Sequence, residues 1–216
     1  MNPRTDTFII SRYGWSLLFP FGTLVLILLL SLGLTFFTFT LFLAFAFLLY
    51  VHRNPERISN YAQNGSILSP IDGRVIKIVS VDHSPIDGKP GFEIIIDSGY
   101  TDVAILRSPI SSVMHIDKIQ HGAMTSLKSS HKNLNETADI RFSSSVGDVF
   151  VRHLLASWAR PLRFGVEGDM TQNQRYGFMV RGTTSVYLPS NSRVAIKEGM
   201  FLSAGESVIG FFSAAA

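Results

Sequence analysis

Residues 13–51 read YGWSLLFPFGTLVLILLLSLGLTFFTFTLFLAFAFLLYV, and no Asp, Glu, Lys or Arg occurs between Tyr13 and Val51. A membrane-crossing helix needs about 20 apolar residues at 1.5 Å each to traverse a hydrocarbon core of about 30 Å. As one helix this stretch would reach about 58 Å, nearly twice that thickness. Two passes fit better, with cores at Leu17–Leu30 and Phe36–Val51 and with Ser31, Gly33 and Thr35 near the turn. The expected helices run over about 17–31 and 35–51. Arg4 and Arg12 precede the stretch, Arg53 and Arg57 follow it, and the turn carries no charge. Basic flanks stay on the cytoplasmic side. Both ends are therefore expected there, with a helical hairpin set in the cell (inner) membrane. Tyr13, Trp15 and Tyr50 lie where interfacial aromatics belong. A cleavable signal peptide fits less well, because its apolar region spans only about 7–15 residues and is followed by a small-residue cleavage site. A single long tilted helix stays open as the other alternative.

The apolar stretch also explains the composition. The 216 residues are 46% hydrophobic and 16% charged, whereas a soluble domain averages about 25% charged. Residues 58–216 alone carry 15 basic and 14 acidic side chains. The chain thus divides into a membrane anchor, 1–57, and a soluble domain, 58–216. Without cysteine there is no disulfide, thiolate metal site or Cys nucleophile. The basic pI of 9.3 comes without a basic run, so nucleic acid is not an expected partner.

Beyond Arg53-Asn54-Pro55-Glu56-Arg57 the pattern changes. Pro55 ends any helix leaving the bilayer, and Asn60–Ser66 is polar and turn-forming. Short β-type runs follow at Arg74–Val81, Phe92–Asp97, Thr101–Leu106, Arg141–Phe142 and beyond Ser145, Tyr176–Val180, and Ser185–Leu188. Gly- and Pro-containing turns separate them, as at Asp87-Gly88-Lys89-Pro90-Gly91. Val149–Trp158 is apolar around most of a helix and reads equally as a pair of buried strands. Val194–Phe212 alternates short apolar runs with glycine turns. The expectation is one mainly-β, barrel- or sandwich-like domain with little helix. Asn64-Gly65-Ser66 and Asn135-Glu136-Thr137 match the glycosylation pattern; both are read as chance.

Several site types are absent from the sequence. There is no phosphate loop of the G-x-x-x-x-G-K-[ST] kind, no H-E-x-x-H and no G-x-S-x-G. The six histidines show no ligand-type spacing, so no metal is expected. Three stretches stand out: Ser69-Pro70-Ile71-Asp72-Gly73, His115-Ile116-Asp117-Lys118, and Arg181-Gly182-Thr183-Thr184-Ser185-Val186-Tyr187-Leu188-Pro189. Taken singly, each reads as a turn entering or leaving a strand, with Asp72 accepting backbone hydrogen bonds.

Their order and spacing carry a resemblance. The chain resembles the short, membrane-anchored form of phosphatidylserine decarboxylase. The likeness begins with Tyr13-Gly14-Trp15 and the double apolar segment. Arg53–Arg57 is similar to that family's Arg-Asp-Pro-Glu-Arg junction, and Ser69–Gly73 to its Ser-Pro-Ala-Asp-Gly. Ser108-Pro109 and Met114–Lys118 are similar to its Ser-Pro and Val-His-Val-Asn-Arg, with one extra residue here. Gly199–Val208 is similar to its closing Gly-Asp-x-Val-x-x-Gly-Glu. The resemblance implies a pyruvoyl enzyme made by self-cleavage, in which the serine of a Gly-Ser bond attacks the preceding carbonyl. Asp72 and His115 would assist as catalytic groups. The keto group formed would hold the phosphatidylserine amine as a Schiff base and act as the electron sink for CO2 loss. It also implies a membrane phospholipid as substrate, a role in phosphatidylethanolamine synthesis, and a homodimer or a heterodimer of cleaved chains.

The chain departs from this family at the reacting atom. The family's Leu-Gly-Ser-Thr aligns without a gap on Arg181-Gly182-Thr183-Thr184, so the cleavage site falls at Gly182–Thr183 and the nucleophile is Thr183. Alignment instead on Tyr187-Leu188-Pro189 puts Gly182 at the serine position. Threonine carries the required hydroxyl and would leave a 2-oxobutanoyl group in place of pyruvoyl, on a stiffer β-branched side chain. Glycine could do neither. Two functions stay open: a decarboxylase using Thr183, and an inactive decarboxylase-like protein serving as a lipid-binding or complex-forming module.

Overall fold

A computed structural model describes residues 8–58 and 65–213. Arg4, residues 60–64 of the polar stretch, Asn64 of the first glycosylation-type triplet, and 214–216 lie outside the described residues. The chain opens with a 3₁₀ turn at Arg12–Gly14, where Ser11 Oγ accepts from the Tyr13 amide. Helix α1, Trp15–Leu32, runs directly on. Gly33, at φ +69°, reverses the chain in a conformation glycine reaches without Cβ strain. Thr35 then caps helix α2, Phe36–Val51: its hydroxyl accepts from the Thr38 amide at 3.2 Å, and the Thr38 hydroxyl accepts from the Thr35 amide at 2.8 Å. The helices pack where Gly22 leaves room for the ring of Phe45.

Both ends of this helical hairpin return to one place. Ile10 pairs with Arg53, the Ser11 amide donates to His52 O at 2.8 Å, and the Asn54 amide donates to Ile9 O at 2.7 Å. Residues Arg12–Leu32 are long and apolar enough to cross a bilayer, while Phe36–Val51 is a shorter apolar helix. The hairpin base rests on a small apolar cluster of Val51, Val103, Ala104, Ile105, Phe178 and Val180. Phe178 stacks against both Tyr13 and His52, at centroid distances of 5.6 and 5.3 Å.

The rest is β-structure. In chain order the strands are β1 Ser66–Leu68, β2 Gly73–Val81, β3 Gly91–Ser98, β4 Ile105–Arg107, β5 Ser112–Gln120, β6 Thr137–Ser143, β7 Asp148–Leu155, β8 Arg163–Phe164, β9 Gly168–Met170, β10 Arg175–Phe178, β11 Gly182–Pro189, β12 Ser192–Val194, β13 Phe201–Leu202 and β14 Val208–Phe212. Eight form one antiparallel sheet in the order β13-β2-β3-β11-β7-β6-β5-β9. Two smaller sheets, β1-β14-β12 and β4-β10-β8, share its core. Burial alternates strictly along β6 and β11, the signature of strands with one face on the core. Inward residues such as Ile94, Ile96, Ile140, Phe142, Val151 and Val186 are fully enclosed.

Three expectations change here. The eight-stranded sheet does not close into a barrel: its edge strands, β13 and β9, are short and paired on one side only. Val149–Trp158 is neither a helix nor two strands. Val149–Leu155 belongs to the single strand β7, because β6 and β11 pair with it on both sides. Thr101–Leu106 is mostly loop, and only its end enters β4. Asn135 of the second triplet is buried, and its amide donates to Thr125 O and Leu155 O, both at 2.8 Å, so it serves as a loop tie.

Candidate active site

Asp72 follows Pro70 and Ile71 in a turn that Ser69 closes by donating its hydroxyl to Ile71 O. Gly73 comes next with φ +157°, and a Cβ there would meet Asp97 O at 2.4 Å. This close approach forces the chain into β2 with the Asp72 carboxylate turned inward. There the carboxylate accepts from both terminal nitrogens of Arg57, with Nη2–Oδ2 at 2.8 Å. It also accepts the Ala204 amide at 2.7 Å and the Val103 amide at 3.3 Å. Burial works against the Arg57 charge, but the hydrogen bond and charge of Asp72, with Glu206, outweigh it and raise its pKa. Asp72 thus joins the segment after α2 to the β domain.

The whole junction is latched in this way. Pro55 O accepts from Arg107 Nη2 at 2.7 Å, Arg57 O from Asn173 Nδ2 at 2.6 Å, and Asn54 Oδ1 from Arg175 Nε at 2.8 Å. Glu56 pairs with Arg175. Arg107 is enclosed, and its Nε has no hydrogen-bond partner among the described residues. Burial, then the like charges of Arg175 and Arg57, lower its pKa to about 10. Arg175 is thereby a structural tie between the junction and β10.

Thr183 lies in β11 at the centre of the large sheet. Its backbone is paired with Asp97 on β3 and with Leu154 on β7. Strand alternation sends its side chain to the outer face, where it is half-buried. The Thr183 hydroxyl makes no side-chain hydrogen bond to a described residue. Directly opposite pairs put Cβ atoms about 5 Å apart, so the Asp97 carboxyl is the titratable group nearest to Thr183 by register. Burial raises the Asp97 pKa, Arg181 opposes that, and Asp102 adds to it. The sequence reading missed Asp97 because it emerges only from the register of β3 on β11.

Thr184 points the other way. It is fully buried, and its hydroxyl shares a 2.9 Å hydrogen bond with His153 Nδ1. His153 Nε2 shares another of 2.9 Å with the buried Tyr176 hydroxyl. Burial lowers the His153 pKa to about 3, only partly offset by Asp139. The imidazole is therefore neutral, one nitrogen donating and the other accepting.

His115 is on β5, exposed, opposite Arg141. The cross-strand row His115, Arg141, Phe150, Tyr187 places it three strands from β11, about 14 Å at ordinary strand spacing. Its row meets β11 at Tyr187, away from Thr183. Asp72 is nearer: its carbonyl accepts the Ser98 hydroxyl at 2.5 Å, and Ser98 is paired with Gly182. The fold thus brings Asp72 and Gly182 to one end of the sheet and leaves His115 apart. Among the described residues no group of three His, Asp or Glu could hold a metal ion.

Fold and site together define a β-rich domain latched to an apolar helical hairpin, with a strand-borne threonine beside a carboxyl on an accessible sheet face. Residues 44–210, from within α2 through nearly all of the β domain, match the family model described as phosphatidylserine decarboxylase. The chain belongs to the phosphatidylserine decarboxylase family. Relatives named phosphatidylserine decarboxylase proenzyme include one from Amoebophilus asiaticus, 30% identical over 168 residues, covering 75% of this chain and 74% of the relative. Another, from Chlorobaculum tepidum, is 25% identical over 167 residues, covering 75% and 76%. A third, from Prosthecochloris aestuarii, is 28% identical over 167 residues, covering 74% and 75%. No solved structure matches.

Proposed function

We propose that this chain is a membrane-anchored phosphatidylserine decarboxylase of phospholipid synthesis that generates its own keto-acyl group at Thr183. The observation that carries the reading is the Thr183 side chain on the accessible sheet face opposite Asp97, in a chain of this family. Thr183 Oγ1 attacks the Gly182 carbonyl carbon while the Asp97 carboxylate accepts the hydroxyl proton. The peptide C–N bond breaks, the nitrogen takes a proton, and Gly182 becomes an ester on Oγ1. Loss of the Thr183 α-proton then expels the Gly182 carboxylate. Water replaces the remaining nitrogen, which leaves as ammonia. The residues fit such a group: the hydroxyl is on Cβ, and strand alternation turns it to the outer face, where Thr183 is half-buried.

A keto carbonyl supplies an electron sink for the carbanion left when CO2 departs an amine-linked substrate. The strand positions the new terminus. Residues 183–189 pair with β3 and residues 183–187 with β7, pairing that would hold the two cleaved chains together as a heterodimer. In this reading both helices are set in the cell (inner) membrane and the β domain lies on the cytoplasmic side. Asp72 acts through the Arg57 latch, holding the Gly182 end of the sheet.

A second reading has its own observations. No Gly-Ser bond stands at the site, and the Asp72 carboxylate is committed to Arg57. These favour an inactive, lipid-binding module. Purified full-length protein incubated with phosphatidylserine vesicles separates the two. The decarboxylase reading expects release of CO2 and phosphatidylethanolamine, abolished by borohydride treatment in the presence of substrate. Absence of product from folded protein selects the module.

A further inference from the structure

The loop Ser157–Arg160 has an unusual build. Ala156 and Ala159 are buried on either side of Trp158, which is 88% exposed. Trp158 is also held at φ +60°, a left-handed conformation that strains a bulky side chain. The strain is fixed by identifiable bonds. The Tyr100 hydroxyl is placed to donate to Ser157 O at 3.2 Å and to Trp158 O at 3.1 Å. Arg181 Nη1 reaches Ser157 O at 3.4 Å, with its guanidinium over the Tyr100 ring. A large aromatic side chain is thus rigidly presented to the outside, against the usual burial preference.

The position of the loop says what covers it. Arg160 Nη1 donates to Tyr13 O at 3.3 Å and to His52 Nε2 at 3.0 Å. Tyr13 precedes α1 and His52 follows α2, so the loop stands beside the base of the apolar hairpin. No acidic residue occurs from Val149 to Val166, while Arg160 and the exposed Arg163 do. An indole with flanking cations at the foot of a membrane helix is the arrangement that settles in the headgroup layer.

We infer that Ser157–Arg160 is a second membrane contact, with Trp158 seated among phospholipid headgroups. The inference rests on the proposed membrane setting of the hairpin. Because Arg181, the residue before Gly182, is tied to this loop at Ser157 O, the contact brings the Gly182–Thr183 end of β11 to the lipid surface.

The two tryptophans allow one experiment to separate the inference from its premise. Full-length protein is reconstituted in phosphatidylcholine–phosphatidylglycerol vesicles with and without lipid brominated near the headgroup. Trp15→Phe leaves Trp158 as reporter, and Trp158→Phe leaves Trp15. The expected result is that both single tryptophans emit at shorter wavelength than in water, lose most of their emission to brominated lipid, and resist aqueous iodide. Quenching of Trp15 by lipid, with Trp158 quenched by iodide alone, would overturn the loop contact and keep the hairpin. Water-like emission from both would overturn the hairpin setting and the loop contact with it.

Discussion

Asp72 illustrates how a residue can be conspicuous in sequence for one reason and placed in the fold for another. Its carboxylate satisfies a buried guanidinium and two backbone amides. Breaking a buried ion pair from one side leaves the other charge uncompensated. Asp72→Asn should therefore destabilise the β domain by about 3 kcal/mol, read as a lowered midpoint in denaturant unfolding followed by near-UV circular dichroism. His153 makes a prediction with a sign. The unfolded imidazole takes a proton near pH 6.5, the folded one only near pH 3, so below 6.5 the unfolded state binds more protons and stability falls as pH drops. Between pH 7.5 and pH 5 the loss from this group is about 2 kcal/mol. His153→Gln retains a donor and an acceptor but cannot be charged, so its unfolding free energy should fall less over that interval. Equal slopes in both proteins would contradict the buried neutral assignment.

Strand β11 decides what the site can be. It sits between β3 and β7 with a residue pair on each side at every position from Gly182 to Tyr187. A Cβ on Gly182 would meet Leu154 O at 2.4 Å, and backbone cannot yield as a side-chain tip does. Gly182→Ala should push β11 off β7, costing about 1–3 kcal/mol and slowing any cleavage at the adjoining bond, measured by thermal unfolding and by gel. At this scale the sequence was informative wherever a strand had one wet face. The runs at Arg74–Val81, Phe92–Asp97 and Ser185–Leu188 lie within β2, β3 and β11. It was ambiguous at Val149–Leu155, where apolar residues cluster on a central strand and blur the alternation that separates strand from helix. The site was legible as motifs but not as contacts. Arg57 reaches Asp72 from 15 residues earlier in the chain, and Asp97 faces Thr183 only through the register of two strands distant in sequence. Neither is written in local spacing. His115 carries a motif, yet its strand lies at the far side of the sheet, and no local pattern reveals that.

At the scale of the molecule, hairpin and β domain are one assembly. The junction Asn54–Arg57 is bonded to Arg107, Asn173, Arg175 and Asp72, and the hairpin base is stacked on Phe178. Such a latch fixes the domain relative to the helical hairpin, and with Arg181 tied to the Ser157–Arg160 loop it sets the Gly182 end of β11 near the hairpin base. This placement gives meaning to an apolar stretch joined to a nearly neutral β domain, in which an amine-reactive group would be held at the headgroup layer. The central claim is that Thr183 breaks the chain at its own peptide bond, and intact-mass measurement of the full-length protein in lipid tests it most directly. The account predicts that the 23.9 kDa chain yields a fragment of residues 183–216 whose N-terminus is a keto-acyl group closed to Edman degradation. Thr183→Ala should abolish the cut, Thr183→Ser should preserve or speed it, and Asp97→Asn should slow it. A chain that stays whole after long incubation in bilayers, with its fold intact, would contradict the account.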